Sequence, residues 1–200
     1  MARYSPSVQN LITKLSKLQG IGGKSAQRIA FQILSMPEKD VTELAEAITE
    51  AKKLTKRCSI CQNFCDSDPC PICSDPLRDK TTVCVVESPR DVSTFERMRE
   101  YKGLYHVLHG VFSPLGGKQI EDITLSQLLE RLSLNPEISE VIVATNQSAE
   151  GNATALYISK LLQPAGIKVT RLASGLPMGS DIEYTDDLTL SNALKGRIQI

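Results

Sequence analysis

Four cysteines carry the clearest chemistry in this 200-residue chain: Cys58-Ser-Ile-Cys61, eight residues, then Cys70-Pro-Ile-Cys73. Two Cys-x-x-Cys knuckles at this spacing can set four sulfurs on the corners of a tetrahedron, the geometry Zn²⁺ takes with thiolates at about 2.3 Å. Pro69 and Pro71 stiffen the second bend. The intervening loop is polar and too poor in apolar residues to fold by burial, so metal–ligand bonds must supply its stability. Four thiolates fill the coordination sphere and leave no position for water, which makes such a zinc structural. Disulfides are the competing reading. The start, Met1-Ala2-Arg3-Tyr4-Ser5, lacks the apolar core of a secretory signal, and doubled knuckles favour metal. A thioredoxin-type motif needs only one Cys-x-x-Cys. Cys65 lies between the knuckles as a substitute ligand without a partner of its own, and Cys84 sits in an apolar run as a small hydrophobe.

A second stretch concerns phosphate. Gly23-Lys24-Ser25 matches the end of a P-loop, but that motif needs glycine where Leu18 stands, and an amphipathic helix precedes it instead of a strand. Gly20-Ile21-Gly22 instead resembles the hairpin of helix-hairpin-helix DNA-binding motifs. There glycines bring backbone N–H groups close to a phosphate at a helix N-terminus, where the dipole favours negative charge. Lys24 and Arg28 are four apart, share one helix face, and could grip neighbouring phosphates without reading bases. A plain helical turn with a glycine cap is the simpler alternative.

A third constellation is carboxylate chemistry at strand ends. Glu87 closes the apolar run Thr82–Val86, and Asn146-Gln-Ser148-Ala-Glu150-Gly151 follows Glu140–Thr145. In α/β sheets, sites lie at the carboxyl ends of strands. The pattern resembles the Toprim fold of topoisomerases, bacterial primases and some nucleases, which hold Mg²⁺ with a glutamate and an Asp-x-Asp. Ala144-Thr145 and Glu150-Gly151 keep that frame, but Asn146 and Ser148 replace both aspartates. Mg²⁺ is usually held through carboxylates and phosphate oxygens, so Glu87 and Glu150 alone provide poorly for two-metal chemistry. A Toprim scaffold used as a binding surface is expected, with Glu87 otherwise capping its turn. His106 and His109, three apart on an apparent strand, point to opposite faces and pack or bond locally.

The positioning elements read as follows. Ser5-Pro6 starts a helix with Val8, Leu11, Ile12, Leu15 and Leu18 on one face. Ala26, Ile29, Ala30, Ile33 and Leu34 build a second helix that stops near Pro37, and Asp40 with Glu43 caps a third, whose face is Val41, Leu44, Ala45 and Ile48. Strands are expected at 82–86, 105–109, 140–145 and 168–172. They alternate with helices through Val92, Phe95 and Met98, after Thr124 (capped with Gln127), and through Ala155, Ile158 and Leu162. This implies a mainly parallel sheet with right-handed crossovers. Residues 110–123 form a loop around Ser113-Pro114-Leu115-Gly116-Gly117, and Gly175–Gly179 another. A last short helix runs to Lys195-Gly196, with Ala193 and Leu194 buried by the domain or a neighbouring chain and Arg197 solvated.

The fold class is therefore α+β and multi-domain: helix-hairpin-helix 1–56, four-cysteine zinc finger 57–80, α/β Toprim domain 81–175 and C-terminal helical tail 176–200. Composition is that of a globular protein, 41% hydrophobic and 23% charged. No apolar run approaches the ~20 residues that span a bilayer, and a cytoplasmic protein is expected. Net charge is zero, but residues 1–58 carry ten Lys and Arg against five Asp and Glu, and the rest thirteen against eighteen. The front can meet phosphate while the back meets another partner.

This order, with Asp68-Pro-Cys-Pro-Ile-Cys73, Cys84-Val-Val-Glu87, Tyr105-His-Val-Leu108 and the closing Thr185-Asp-Asp-Leu-Thr-Leu-Ser-Asn-Ala-Leu-Lys-Gly-Arg197, resembles the RecR family of bacterial recombination proteins over nearly the whole chain. The resemblance implies a non-enzymatic repair factor that binds single-stranded, double-stranded and gapped DNA. It also implies work with RecO and RecF to help RecA load at gaps, a ring-like homotetramer, Lys24 and Arg28 facing DNA, and the acidic Toprim surface with Glu87 docking RecO. A metal-dependent Toprim nuclease is the alternative, and an RNA-binding zinc module a third class.

Overall fold

The computed structural model describes residues 4–113, 117 and 119–197 and divides into two compact units, Met1–Thr55 and Lys56–Ile200. Pro114, Leu115 and Gly116 of the expected central loop lie outside the described residues.

The first unit holds three helices, α1 (Pro6–Leu15), α2 (Gly23–Leu34) and α3 (Glu38–Leu54). Proline at the first turn of α1 costs no hydrogen bond, because that N–H has no helical acceptor. The core is small: Ile12 meets Ala26 and Ala30, with Tyr4, Val8, Leu11, Leu15 and Ile21 around them. Two alanines on one face let α1 and α2 approach closely. Tyr4 packs edge-on against Phe31 with ring centroids 5.3 Å apart. Two expectations need correction. Leu18 falls in the turn beyond α1 and is 55% exposed, whereas Leu34 ends α2 as expected and is 54% exposed. Helix α3 starts at Glu38 after Pro37, and no side chain caps it, so Asp40 lies inside the first turn. None of its residues is buried, Leu44 and Ile48 of its apolar face included.

The second unit opens with the hairpin β1 (Lys56–Arg57) and β2 (Phe64–Cys65) and the short helix α4 (Pro71–Ser74). A four-stranded sheet follows: β3 (Asp79–Val86), β4 (Gly103–Val107), β5 (Glu140–Val143) and β6 (Lys168–Arg171), in the order β4-β3-β5-β6 with every pair parallel. Helices α5 (Pro89–Met98), α6 (Leu125–Leu134) and α7 (Ala149–Leu162) alternate with the strands. Because β3 is covered on both faces, its apolar run is continuous. Val83 and Val85 join Leu128, Leu132, Val141 and Ile158 in one core layer, whereas Cys84 and Val86 join Val92, Tyr105 and Val107 in the other.

Strand β4 ends at Val107, so His109 is not a strand residue; it sits in the following turn with φ of +59°. Thr124 precedes α6 without capping it: its hydroxyl donates to the Val107 carbonyl at 2.5 Å, tying the helix start to the end of β4. The final helix α8 (Asp187–Lys195) is capped by Asp186, whose carboxylate accepts from the Thr189 N–H at 2.9 Å. No residue of α8 is buried and Leu194 is 66% exposed, so the domain itself does not cover that residue. Among the described residues no helix is long and apolar enough to cross a membrane.

Candidate functional site

The four knuckle cysteines converge. Strand pairing of β1 with β2 bends the first knuckle, closed by bonds between Cys58 N–H and the Asn63 carbonyl (2.8 Å) and between Gln62 N–H and the Cys58 carbonyl (2.9 Å). Gln62 takes the left-handed conformation this turn requires (φ +63°). The second knuckle opens α4, where Cys70 Sγ accepts from the Cys73 N–H. The Cys70 N–H in turn points at Cys58 Sγ, 3.3 Å away. Asp68 clasps the loop from outside: Oδ1 accepts from the Ser59 N–H (2.8 Å) and hydroxyl (2.9 Å), bonds that hold its carboxyl below the usual range.

The ligand atoms of Cys58, Cys61, Cys70 and Cys73 all lie within 4.8 Å of one another, and Cys61 and Cys70 are 3.5 Å apart. A tetrahedron with Zn–S bonds of about 2.3 Å has sulfurs about 3.8 Å apart, so the donor set fits one such ion. Hydrogen bonds from the neighbouring Cys61 and Cys73 thiols hold the Cys70 thiol well below its ordinary range. Cys65 is buried on β2 beside this cluster but outside the set of four. Cys84, in the sheet core, is pushed up to about 12 by burial and stays a neutral thiol.

The knuckles are joined to the sheet by bonds between distant segments. Val107 N–H donates to the Cys61 carbonyl at 2.8 Å. His109 Nε2 donates to the Gln62 carbonyl at 2.7 Å, and its ring lies 5.4 Å from that of Phe64. Local bonding was expected of both histidines, but each instead bonds a distant segment: His109 the knuckle and His106 the residue before α6. His106 is fully buried with Nε2 2.8 Å from the Thr124 carbonyl, and burial pushes its imidazole down to about 4.

In the first unit, Gly20 has φ of +83° and turns the chain between α1 and α2. Gly22 caps α2 with its backbone alone, so the first N–H groups of that helix face outward without a side-chain acceptor. A Cβ built on Gly20, Gly22 or Gly23 would meet nothing within 4 Å; this is an open surface a backbone can approach. Ile21 tucks against the small core. Lys24 and Arg28 are exposed on α2, and among the described residues neither forms an ion pair.

At the strand ends, Glu87 is half-buried and fully engaged. Oε1 accepts from the Asn146 N–H at 2.7 Å and Oε2 from the Asn146 side-chain amide at 2.8 Å. Ser148 caps α7 by accepting from the Gly151 N–H at 3.0 Å. Both residues that stand in place of aspartates thus hold structure. Glu150 is exposed in the first turn of α7, and its own carbonyl accepts from Thr154. Sequence reasoning passed over Arg171, which donates to the Asn146 carbonyl at 3.1 Å across 25 residues; a strand-terminal arginine was the only signal available.

A parallel sheet with a glutamate after its first strand, and Asn146 where the metal-binding pair would begin, has the arrangement of a Toprim domain. Family models agree and go further: the Toprim domain matches residues 81–173, the RecR helix-hairpin-helix 8–52, the RecR four-cysteine zinc finger domain 55–75, and the RecR C-terminal model 175–198. The chain belongs to the RecR family. It is a RecR-like factor of recombination and repair, and its four-cysteine module is the family's zinc finger.

Proposed function

We propose that this chain is a non-enzymatic DNA-binding clamp of recombinational repair that acts with RecO and RecF in the cytoplasm to help RecA load at gapped DNA. The observation that carries the DNA contact is the open glycine turn at the N-terminus of α2 with two exposed cations one helical turn apart. Gly20 and Gly22 admit a phosphate to the backbone N–H groups, and Lys24 and Arg28 neutralise its neighbours. The contact is electrostatic and reads no sequence.

The non-catalytic reading is supported by Glu87. Both Glu87 oxygens already accept from Asn146, and where a metal pair would need further carboxylates Asn146 and Ser148 supply an amide and a hydroxyl. Glu87 and exposed Glu150 instead belong to an acidic docking face for RecO. Cys58, Cys61, Cys70 and Cys73 hold one structural zinc, and the protein divides functionally at 1–56, 57–80, 81–175 and 176–200. Apolar side chains left uncovered on α3 (Leu44, Ile48) and α8 (Leu188, Leu194) support assembly into a homotetrameric ring.

The test is binding of fluorescent gapped duplex by zinc-loaded wild type and the Lys24→Ala/Arg28→Ala variant, with Mg²⁺ present. Weaker binding by the variant and uncut DNA in both reactions support the proposal. Equal binding removes the hairpin as the DNA surface, and Mg²⁺-dependent cleavage by pure protein restores the nuclease alternative.

A further inference from the structure

Arg131 is only 7% exposed on α6, where a guanidinium is costly unless something satisfies its charge. Among the described residues its only hydrogen-bond acceptor is the Tyr105 carbonyl, to which Nη1 donates at 2.6 Å, and no carboxylate pairs with it. It lines a cleft of about 280 Å³ between the first cysteine knuckle and α6, with Ser59, Ile60, Gln127, Glu130, Leu134 and Asn135. The polar groups there are not equivalent. Ser59 is committed to Asp68, and the Asn135 amide donates to the Arg131 carbonyl. The Gln127 oxygen accepts from Ser126, which leaves its NH₂ to donate. The cleft therefore offers a charged fork and an amide donor beside two apolar side chains, Ile60 (37% exposed) and Leu134 (72% exposed).

We propose that this cleft binds the free C-terminal carboxylate of a partner peptide whose last residue is apolar. A chain terminus places a carboxylate and an apolar side chain on one Cα, which suits a small cleft where both kinds of wall are adjacent. The carboxylate takes the bidentate place that the guanidinium leaves open, and the side chain covers Ile60 and Leu134. Exposed Glu130 at the rim opposes a highly charged ligand, and a nucleic-acid backbone would leave both apolar residues in water. Two hydrogen bonds set the cleft: Val107 N–H to the Cys61 carbonyl fixes the knuckle, and the Thr124 hydroxyl to the Val107 carbonyl fixes the start of α6.

The probe is acetyl-Gly-Leu-Leu, as free acid and as C-terminal amide, titrated into ¹⁵N-labelled zinc-loaded protein by NMR. The free acid shifts the Ile60, Gln127 and Leu134 amides and the Arg131 side-chain N–H, and the amide binds about tenfold more weakly or less. Leu134→Asp, a change at an exposed position that leaves the fold intact, abolishes those shifts. Glu130→Gln tightens binding about twofold by removing a like charge. Arg131→Lys weakens it; if that variant does not fold, the other two decide. Equal binding of acid and amide, absence of shifts at millimolar peptide, or the same signals moving with a 12-nucleotide single strand would each overturn the assignment.

Discussion

The Glu87 carboxylate is gripped at both oxygens by one residue, Asn146, through its backbone N–H at 2.7 Å and its side-chain amide at 2.8 Å. The two residues lie 59 positions apart, just beyond the carboxyl ends of the neighbouring parallel strands β3 and β5. An amide here does what a cation does in a metal-holding Toprim site: it satisfies the glutamate. Asn146→Asp would replace a donor with a second carboxylate and is expected to cost about 1–3 kcal/mol at neutral pH. Millimolar Mg²⁺ should raise the Tm of Asn146→Asp/Ser148→Asp while leaving wild type unchanged. Equal melting of wild type and variant, with and without Mg²⁺, would show that the amide is not a structural substitute.

The four sulfurs form a set in which each supports the next, so loss of one ligand should empty the site. Cys58→Ser is expected to lose zinc, as measured by atomic absorption, and to loosen the knuckle that bonds to Val107 and His109. Hydrogen exchange should then rise at Val107 N–H. A variant that keeps one zinc per chain contradicts the four-thiolate account.

Buried His106 sets a pH dependence. Its imidazole titrates near 4 in the folded protein against an ordinary 6.5, chiefly because burial penalises the charge, with Arg131 and His109 adding repulsion and the Thr124 bond opposing. Between those values the unfolded chain binds a proton the folded chain refuses, so stability is fully present above about pH 6.5 and falls as pH drops toward 4. The loss is about 3 kcal/mol across that window. Urea denaturation at pH 7 and pH 5 should show it in wild type and a flatter response in His106→Gln, a comparison that cancels acid effects on the thiolates. Identical slopes in the two proteins would contradict this.

Two glycines separate folding from binding. A Cβ on Gly151 would stand 2.1 Å from the Asn146 carbonyl oxygen and 3.3 Å from Glu87 Oε1, so Gly151→Ala should cost about 1–3 kcal/mol. Gly22 has φ of −73° and open space around it, so Gly22→Ala should melt like wild type yet bind DNA more weakly, because the methyl stands between backbone and phosphate. Wild-type DNA affinity in Gly22→Ala would remove the close backbone approach.

What was legible in the residues followed the range of the interaction. The knuckles are local, and spacings of three and nine positions were enough to place four sulfurs. The β-branched run through Val83, Val85 and Val86 announced a strand buried on both faces, and parallel order followed from alternation with helices. Local capping signals failed where a distant acceptor competed: Thr124 bonds to Val107, and Pro37 moves the start of α3 ahead of Asp40. Asn146 read as a lost metal ligand. That it had become the partner of Glu87 depends on strand register, which composition does not encode. The apolar period of α3 was visible, but periodicity says only that a face exists and not that the same chain covers it.

The central claim is that the hairpin unit meets DNA through phosphate. The direct measurement is the salt dependence of DNA affinity for zinc-loaded wild type and Lys24→Ala/Arg28→Ala. Each phosphate neutralised contributes about −0.9 to the slope of log affinity against log salt on duplex DNA, so the variant's slope should be shallower by about 2. A weaker, flatter titration is the expected result; the same slope and affinity in both proteins would contradict it.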